Sequence, residues 1–156
     1  MKYDDAILYT KKELQKYTNV SSDLKSWIKK RLEDHYKEKL KKEQDDYREY
    51  FVLDELLTLL GKIEKQNPKN AKAFVERELK RESYHKELRD IAAEVRRTKI
   101  TKSNADKIRK KIDALEKKVE KEDPEYLKII QVPAARIRSM LSHKLYGLED
   151  MHVHIR

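Results

Sequence analysis

The sequence predicts an all-α protein, on three observations. Apolar residues recur at steps of three and four along most of the chain, which is the spacing of one helical face. The 156 residues include only two glycines and three prolines, whereas sandwiches and barrels need both at many corners. Charged residues make up 43% of the chain, which leaves few residues for a thick core. We therefore expect an elongated bundle of five or six amphipathic helices.

The first helix is predicted over Asp4–Tyr17, where Ile7 and Leu14 fall on one face. Its acidic start suits the positive end of the helix dipole. The polar break that follows carries two serines, and Ser21 or Ser22 is predicted to cap the second helix.

The second helical stretch has two interpretations. No glycine or proline occurs in this stretch before Gly61, which predicts one very long helix over about residues 22–65. The alternative is two helices with a break at Gln44–Asp46. Apolar residues are most frequent over Phe51–Ile63 and cover more than one face of the predicted helix. This segment is therefore predicted to lie at the centre of the core. Its central residues are Leu56, Leu57 and Leu60.

The third helix is predicted from about Pro68 or Asn70 to Arg97, and its apolar stripe changes phase within it. The step from Leu79 to Tyr84 is five residues, where a helical face allows three or four. This slip predicts either a kink near Ser83 or a change of packing partner.

The fourth helix shows the most regular pattern. We expect it to begin near Thr101 or Ser103, with a capping-box-like start over Ser103–Asp106. It is expected to end at Asp123-Pro124. Alternating steps of three and four form a seam of coiled-coil type, although too short to define a coiled coil. The seam consists of Ala105, Ile108, Ile112, Leu115 and Val119.

The last region predicts one more amphipathic helix and a short extended tail. Pro133 is expected to break or kink the chain, and Gly147 is placed to end the final helix. The tail, Met151–Arg156, alternates apolar and polar residues, which is typical of an edge strand.

Charge divides the chain into two halves. Residues 43–66 carry seven acidic and three basic side chains, whereas Arg96–Lys121 carries eleven basic and four acidic ones. We therefore predict an N-terminal helical hairpin over residues 1–66, with an acidic Leu-rich core segment, and a basic helical half over residues 68–156. A single compact domain is the alternative.

The basic half predicts a nucleic-acid contact. No aromatic residue interleaves with its lysines, which argues against base stacking and favours the phosphate backbone. The last helix adds basic residues without an acid between Leu127 and Leu148. The candidate binding residues are Arg96, Arg97, Lys99, Lys102, Lys107, Arg109, Lys110, Lys111, Lys117, Lys118, Arg136, Arg138 and Lys144. The alternative is a solvated lysine-rich surface that only confers solubility.

No catalytic motif is visible, so we expect neither enzyme activity nor a cofactor. His152 and His154 have a spacing that metal sites can use, and they are weak metal candidates beside an ordinary tail. The absence of cysteine, of a signal-like start and of long apolar runs predicts a cytoplasmic protein, or a nuclear one in a eukaryote, without membrane association.

These features favour a non-enzymatic helical accessory subunit of a nucleic-acid-handling complex. A basic helix would contact the phosphate backbone, and apolar helix faces would contact a protein partner or a second copy. The first alternative is a pure protein–protein scaffold or dimerisation module. The second is a small helical metal protein or enzyme that uses the C-terminal histidine pair.

Overall fold

The computed structural model describes the backbone of residues 2–155 and the side chains of residues 2–147. Over that backbone it contains seven α-helices and no strand, so the all-α prediction is confirmed and the predicted count of five or six helices is too low. None of the described helices is long and apolar enough to cross a membrane. The elements are α1 (Tyr3–Leu14), α2 (Ser22–His35), α3 (Lys37–Leu40), α4 (Asp45–Gln66), α5 (Ala71–Arg97), α6 (Lys102–Glu122), a 3₁₀ turn (Pro124–Tyr126) and α7 (Leu127–Ile155).

Side-chain caps define the starts of two helices. Ser21 Oγ accepts a hydrogen bond from the Leu24 amide at 3.1 Å, as the sequence predicts for α2. At α6 the capping box lies two residues earlier than Ser103–Asp106. The Thr101 hydroxyl accepts from the Asn104 amide, and the Asn104 side-chain oxygen accepts from the Thr101 amide.

The prediction of one helix over residues 22–65 is wrong, and the alternative of a break before α4 is confirmed. Tyr36 leaves helical geometry, with φ −98° and ψ 15°, and separates α2 from α3. Residues 41–44 then form turns, because all four side chains are polar and none anchors a helical face. At Asn67, whose φ is +46°, the backbone turns left-handed and ends α4 before Pro68.

The C-terminal predictions need two corrections. Pro133 lies inside α7 and does not end it, because buried Ile130 and Ala134 hold the surrounding turns against the core. Gly147 leaves helical geometry, with φ +76° and ψ −172°, a conformation that glycine adopts without strain, so the prediction that the helix ends there is confirmed, although a second helical stretch follows. The prediction of an extended tail over residues 151–156 is wrong for the described backbone, which is helical to Ile155.

The chain forms two compact units, Met1–Leu79 and Lys80–Arg156. Helix α5 contributes residues to both, and its phase slip marks the division. Leu79 packs in the core of unit 1, whereas Tyr84 packs in the core of unit 2. The predicted change of packing partner therefore explains the five-residue step.

In unit 1, α1 and α2 pack against α4. The rings of Tyr36 and Phe51 meet edge to face, with centroids 4.8 Å apart. Leu57 is only partly buried, so its predicted place at the core centre is wrong, although Leu56 and Leu60 are buried as predicted. The buried core residues of this unit are Ile28, Leu32, Leu40, Val52, Leu56, Leu59, Leu60, Ile63, Phe74, Val75 and Leu79.

Unit 2 packs the second part of α5 with α6 and α7 around one core. All five predicted seam residues of α6 are buried, so that prediction is confirmed. His85 contacts Tyr126 near the start of α7, and Lys144 contacts Val95 near the ends of both helices. Helices α5 and α7 therefore run parallel, with α6 antiparallel to both. The other core residues are Tyr84, Leu88, Ile91, Ala92, Val95, Ile130, Ala134, Ile137 and Leu141.

Candidate nucleic-acid interface

The positive charge of the chain is concentrated in unit 2. Residues 80–156 carry 20 basic and 13 acidic side chains, a net charge of +7, whereas residues 1–79 carry 18 and 16. Helix α6 holds many of these basic residues on three sides of its cylinder, and each side has different partners.

The side of α6 that faces α5 is neutralised by ion pairs. Lys111 Nζ lies 2.8 Å from a carboxylate oxygen of Glu94, and Lys118 Nζ lies 3.2 Å from one of Glu87. Both acids belong to α5, so a carboxylate of the neighbouring helix offsets the charge of each of these two lysines. Less of their charge is then available to a ligand.

Ion pairs also neutralise the side of α6 that faces α7, but here α6 supplies the acidic side chains and α7 supplies the arginine. Arg138 of α7 donates to Asp113 at 2.7 Å and also to Glu116, both on α6. The hydrogen bond to Glu116 raises the pKa of Arg138 above its ordinary value. Within α6, Arg109 lies 3.5 Å from Asp106. The charges on this side of α6 are therefore paired, either with Arg138 of α7 or within α6.

The third side of α6 points away from the core and carries a row of lysines, here called the lysine stripe: Lys107, Lys110, Lys117 and Lys121. The steps between these residues, with Ala114 in the gap, are three and four residues, so all four lie on one face. All four are exposed, and none has an ion-pair partner among residues 2–147. The stripe extends over about 21 Å at 1.5 Å per residue.

Lys121 is absent from the residues that the sequence singled out, although it completes the lysine stripe. The signal that identifies it is the phase of the buried seam, because Lys121 stands opposite Ile108 and Ile112 on the helical wheel.

Further basic residues lie near the connection between α5 and α6. Arg96 and Arg97 occupy the last turn of α5, Lys99 lies in the connection, and Lys102 is the first residue of α6. All four are exposed, and none has an ion-pair partner among the side chains that the structure describes. Arg97 Nε donates only to the carbonyl of Ala93, at 3.3 Å.

The two remaining candidates on α7 differ in their surroundings. Lys144 Nζ donates to the carbonyls of Val95, Arg96 and Thr98 at 2.6, 3.1 and 3.2 Å, so it caps the C-terminal end of α5. Arg136 is exposed and has no ion-pair partner within the described side chains. It lines a groove between α5 and α7 instead.

A polar network at the opposite end of unit 2 joins α5 to the turn after α6. The Tyr84 hydroxyl donates to Glu122 at 2.9 Å, and His85 Nε2 lies 2.6 Å from the Tyr126 hydroxyl. Burial and the bond to Glu122 raise the pKa of Tyr84 to about 12, and that bond lowers the pKa of Glu122. Burial lowers the pKa of His85, so its neutral form is favoured. The sequence suggested no partner for His85.

The predicted metal candidates lie outside the described side chains. This applies to both His152 and His154. Among residues 2–147, no group of three or more histidine and acidic side chains is placed to hold a metal ion.

The lysine stripe is thus an exposed row of cations. Lys111 and Lys118 on one side of it and Asp113 and Glu116 on the other are paired, whereas Glu120, beside Lys117, has no ion-pair partner among residues 2–147. No protein-family model, curated protein or solved structure matches the chain.

Proposed function

We propose that this protein is a non-enzymatic helical subunit of a nucleic-acid-handling assembly, and that the lysine stripe of α6 contacts the phosphate backbone. The observation that carries the proposal is the sorting of charge on α6. Lys111 and Lys118 pair with acids of α5, whereas Lys107, Lys110 and Lys117 face outward without a partner among residues 2–147.

The stripe has an electrostatic cost that a polyanion would relieve. Lys107 and Lys110 are three residues apart, and Lys117 and Lys121 are four apart, so each pair consists of neighbouring like charges on one face. Such pairs destabilise a helix by a few tenths of a kcal/mol. A row of phosphates offsets this repulsion and releases counterions, which favours binding.

The composition of the stripe favours backbone contact over reading of bases. Lysine is a compact point charge that suits phosphate, and it lacks the planar fork with which arginine recognises guanine. Helix α6 contains no aromatic residue on which an unpaired base could stack. We therefore propose a contact that is insensitive to sequence, with Lys99 and Lys102 adding charge at the N-terminal end of the same helix.

The other candidate basic residues have secondary roles in this proposal. Arg138 and Lys144 stabilise contacts between helices, although their charge adds to the field around unit 2. The proposal places the protein in the cytosol or nucleus, where nucleic acid is present.

A protein–protein scaffold without a nucleic-acid role is the second candidate. It is favoured by exposed apolar side chains on α7, since Ile129, Val132 and Tyr146 are each more than half exposed.

A binding titration separates the two candidates. Fluorescently labelled duplex DNA, duplex RNA and single-stranded RNA of unrelated sequences are titrated with the full chain at about 50 and 200 mM salt. We expect binding at the lower salt concentration, similar affinities for different sequences of one type, and a loss of roughly 100-fold in affinity for a duplex at the higher salt concentration if all four stripe lysines contact phosphates. Absence of binding to every probe at the lower salt concentration would refute the nucleic-acid role and leave the scaffold.

A further inference from the structure

A groove runs between the parallel helices α5 and α7 of unit 2. It has a volume of about 320 Å³ and is open to solvent along one side. Its floor is aliphatic, because it is formed by Leu88, Ala92, Pro133, Ile137 and Met140. The first two belong to α5 and the last three to α7. Apolar grooves of this kind accept the apolar face of an amphipathic segment.

The rim of the groove is positively charged. Arg89 and Arg96 line it from α5, two helical turns or about 10 Å apart, and Arg136 lines it from α7. No carboxylate is among the side chains that line it in the described part of the chain. Arg89 is paired with Glu82 of its own helix at 2.5 Å. Arg96 and Arg136 have no ion-pair partner among residues 2–147.

The apolar surface continues past the groove along α7. Ile129, Pro133, Arg136 and Met140 follow one another at steps of three and four, so they share one side of the helix. Ile129 is 52% exposed, and the adjacent Val132 is 56% exposed. Exposed β-branched residues beside an apolar groove enlarge the surface that a partner can bury.

We propose that this groove is the docking site for an acidic amphipathic helix of a partner protein. The apolar face of that helix covers the floor and Ile129, and its carboxylates pair with Arg96 and Arg136. Charge complementarity selects this occupant, since arginine pairs with carboxylates through two parallel hydrogen bonds. The proposal deepens the protein-partner part of the proposed function and does not depend on phosphate contact by α6.

Two features of the groove disfavour nucleic acid as its occupant. Its floor is aliphatic, and the ring of His85, which also lines the groove, is already hydrogen-bonded to the Tyr126 hydroxyl and packed edge to face with that tyrosine, which disfavours base stacking there. A phosphate backbone would meet the arginines but would leave Ile129 and Val132, beside the groove, exposed. An acidic helix satisfies both parts of the surface.

The test uses helical peptides of about twenty residues, long enough to form a helix. One peptide has leucine at three- and four-residue steps and glutamate on the remaining positions. A second carries glutamine in place of glutamate, and a third carries serine in place of leucine. Their binding to the full chain is measured by fluorescence anisotropy. We expect the glutamate peptide to bind about ten-fold more tightly than the glutamine peptide, and the serine peptide to lose binding.

Variants of the chain locate the site. Arg96→Gln with Arg136→Gln removes two exposed charges and should weaken the glutamate peptide about ten-fold while leaving the glutamine peptide unchanged. Ile129→Ser with Val132→Ser should weaken both peptides. Lys107→Gln with Lys117→Gln removes the same charge on α6 and serves as the control. We expect this control variant to bind peptide normally and nucleic acid more weakly.

Three results would overturn the proposal. The first is that the glutamate peptide does not bind the full chain. The second is that the control variant loses as much peptide affinity as the groove variant, which would mean general attraction to positive charge. The third is sedimentation that shows a dimer which the groove variant dissociates, because the occupant would then be a second copy of this chain.

Discussion

Arg81 and Asp123 form an ion pair with two hydrogen bonds that ties α5 to the residue that ends α6. Arg81 Nε lies 2.6 Å from Asp123 Oδ2, and a terminal guanidinium nitrogen lies 3.1 Å from Oδ1. The side chains are only 16% and 14% exposed. The guanidinium also lies over the ring of Tyr126, 4.5 Å from its centroid.

The variant Arg81→Met should lower the free energy of unfolding by about 2–4 kcal/mol, because it leaves the carboxylate of Asp123 largely buried without its cation. Urea unfolding of the full chain measures this loss. Lys86→Met is the matched control, since its pair with Asp90 is more than two-thirds exposed on both sides and should contribute less than about 1 kcal/mol. Equal losses in the two variants would contradict the role of the buried pair.

Helix α4 offers two leucines, three residues apart, that test where the core of unit 1 lies. Leu60 is fully buried, whereas Leu57 is partly exposed. Leu60→Ala should therefore lower the free energy of unfolding by about 2–5 kcal/mol, and Leu57→Ala by clearly less. The comparison uses the same substitution in the same helix, so helix propensity cancels. A larger loss for Leu57→Ala than for Leu60→Ala would contradict the packing.

Tyr84 should ionise at a higher pH than an ordinary tyrosine. Its pKa of about 12 in the folded protein lies above the ordinary value of 10, so the unfolded state releases this proton first as pH rises. The stabilisation from the neutral hydroxyl is therefore complete below about pH 10 and is lost as the pH rises to about 12. Ultraviolet absorbance of tyrosinate should show a late-titrating group that is absent in Tyr84→Phe. An unchanged titration in that variant would contradict the buried hydrogen bond to Glu122.

The cap that Lys144 forms on the C-terminal end of α5 is tested by replacing the lysine with an uncharged side chain of similar length. Lys144→Met deletes three hydrogen bonds to the carbonyls of residues 95, 96 and 98 and should cost about 1–2 kcal/mol in the free energy of unfolding. Lys128→Met is the control, because Lys128 is exposed on the same helix and has no ion-pair partner among residues 2–147. The cap would be refuted if both variants were as stable as the unmodified chain.

Local periodicity predicted the parts of the fold that depend on a single helix. The α6 seam is buried from Ala105 to Val119 because the spacing of three and four directly encodes one face. The break between α2 and α4 was ambiguous, since neither proline nor glycine marks it. It depends on tertiary contacts such as the packing of Tyr36 on Phe51, which periodicity does not report.

The sequence predicted the basic residues of the candidate site, but it could not show which of them are paired with acidic side chains and which are free to bind a ligand. Lys111 pairs with an acid 17 residues away, Lys118 with one 31 residues away, and Arg138 with one 25 residues away. These pairings depend on which helix lies beside α6 and in which register. Only the packed structure therefore separates the lysines that are paired with acids of α5 from the lysine stripe.

The salt dependence of duplex binding is the measurement that tests the lysine stripe most directly. The logarithm of the binding constant is plotted against the logarithm of salt concentration for the full chain and for two variants. The stripe variant has glutamine in place of Lys107, Lys110, Lys117 and Lys121. The control variant has glutamine in place of Lys30, Lys42, Lys65 and Lys69. The control removes the same charge from exposed positions of unit 1. We predict that the stripe variant flattens the slope by about 3–4, at roughly 0.9 per phosphate contact, and that the control changes it by less than about 1. A stripe variant with the slope of the unmodified chain, or a control that flattens it equally, would contradict phosphate contact by α6.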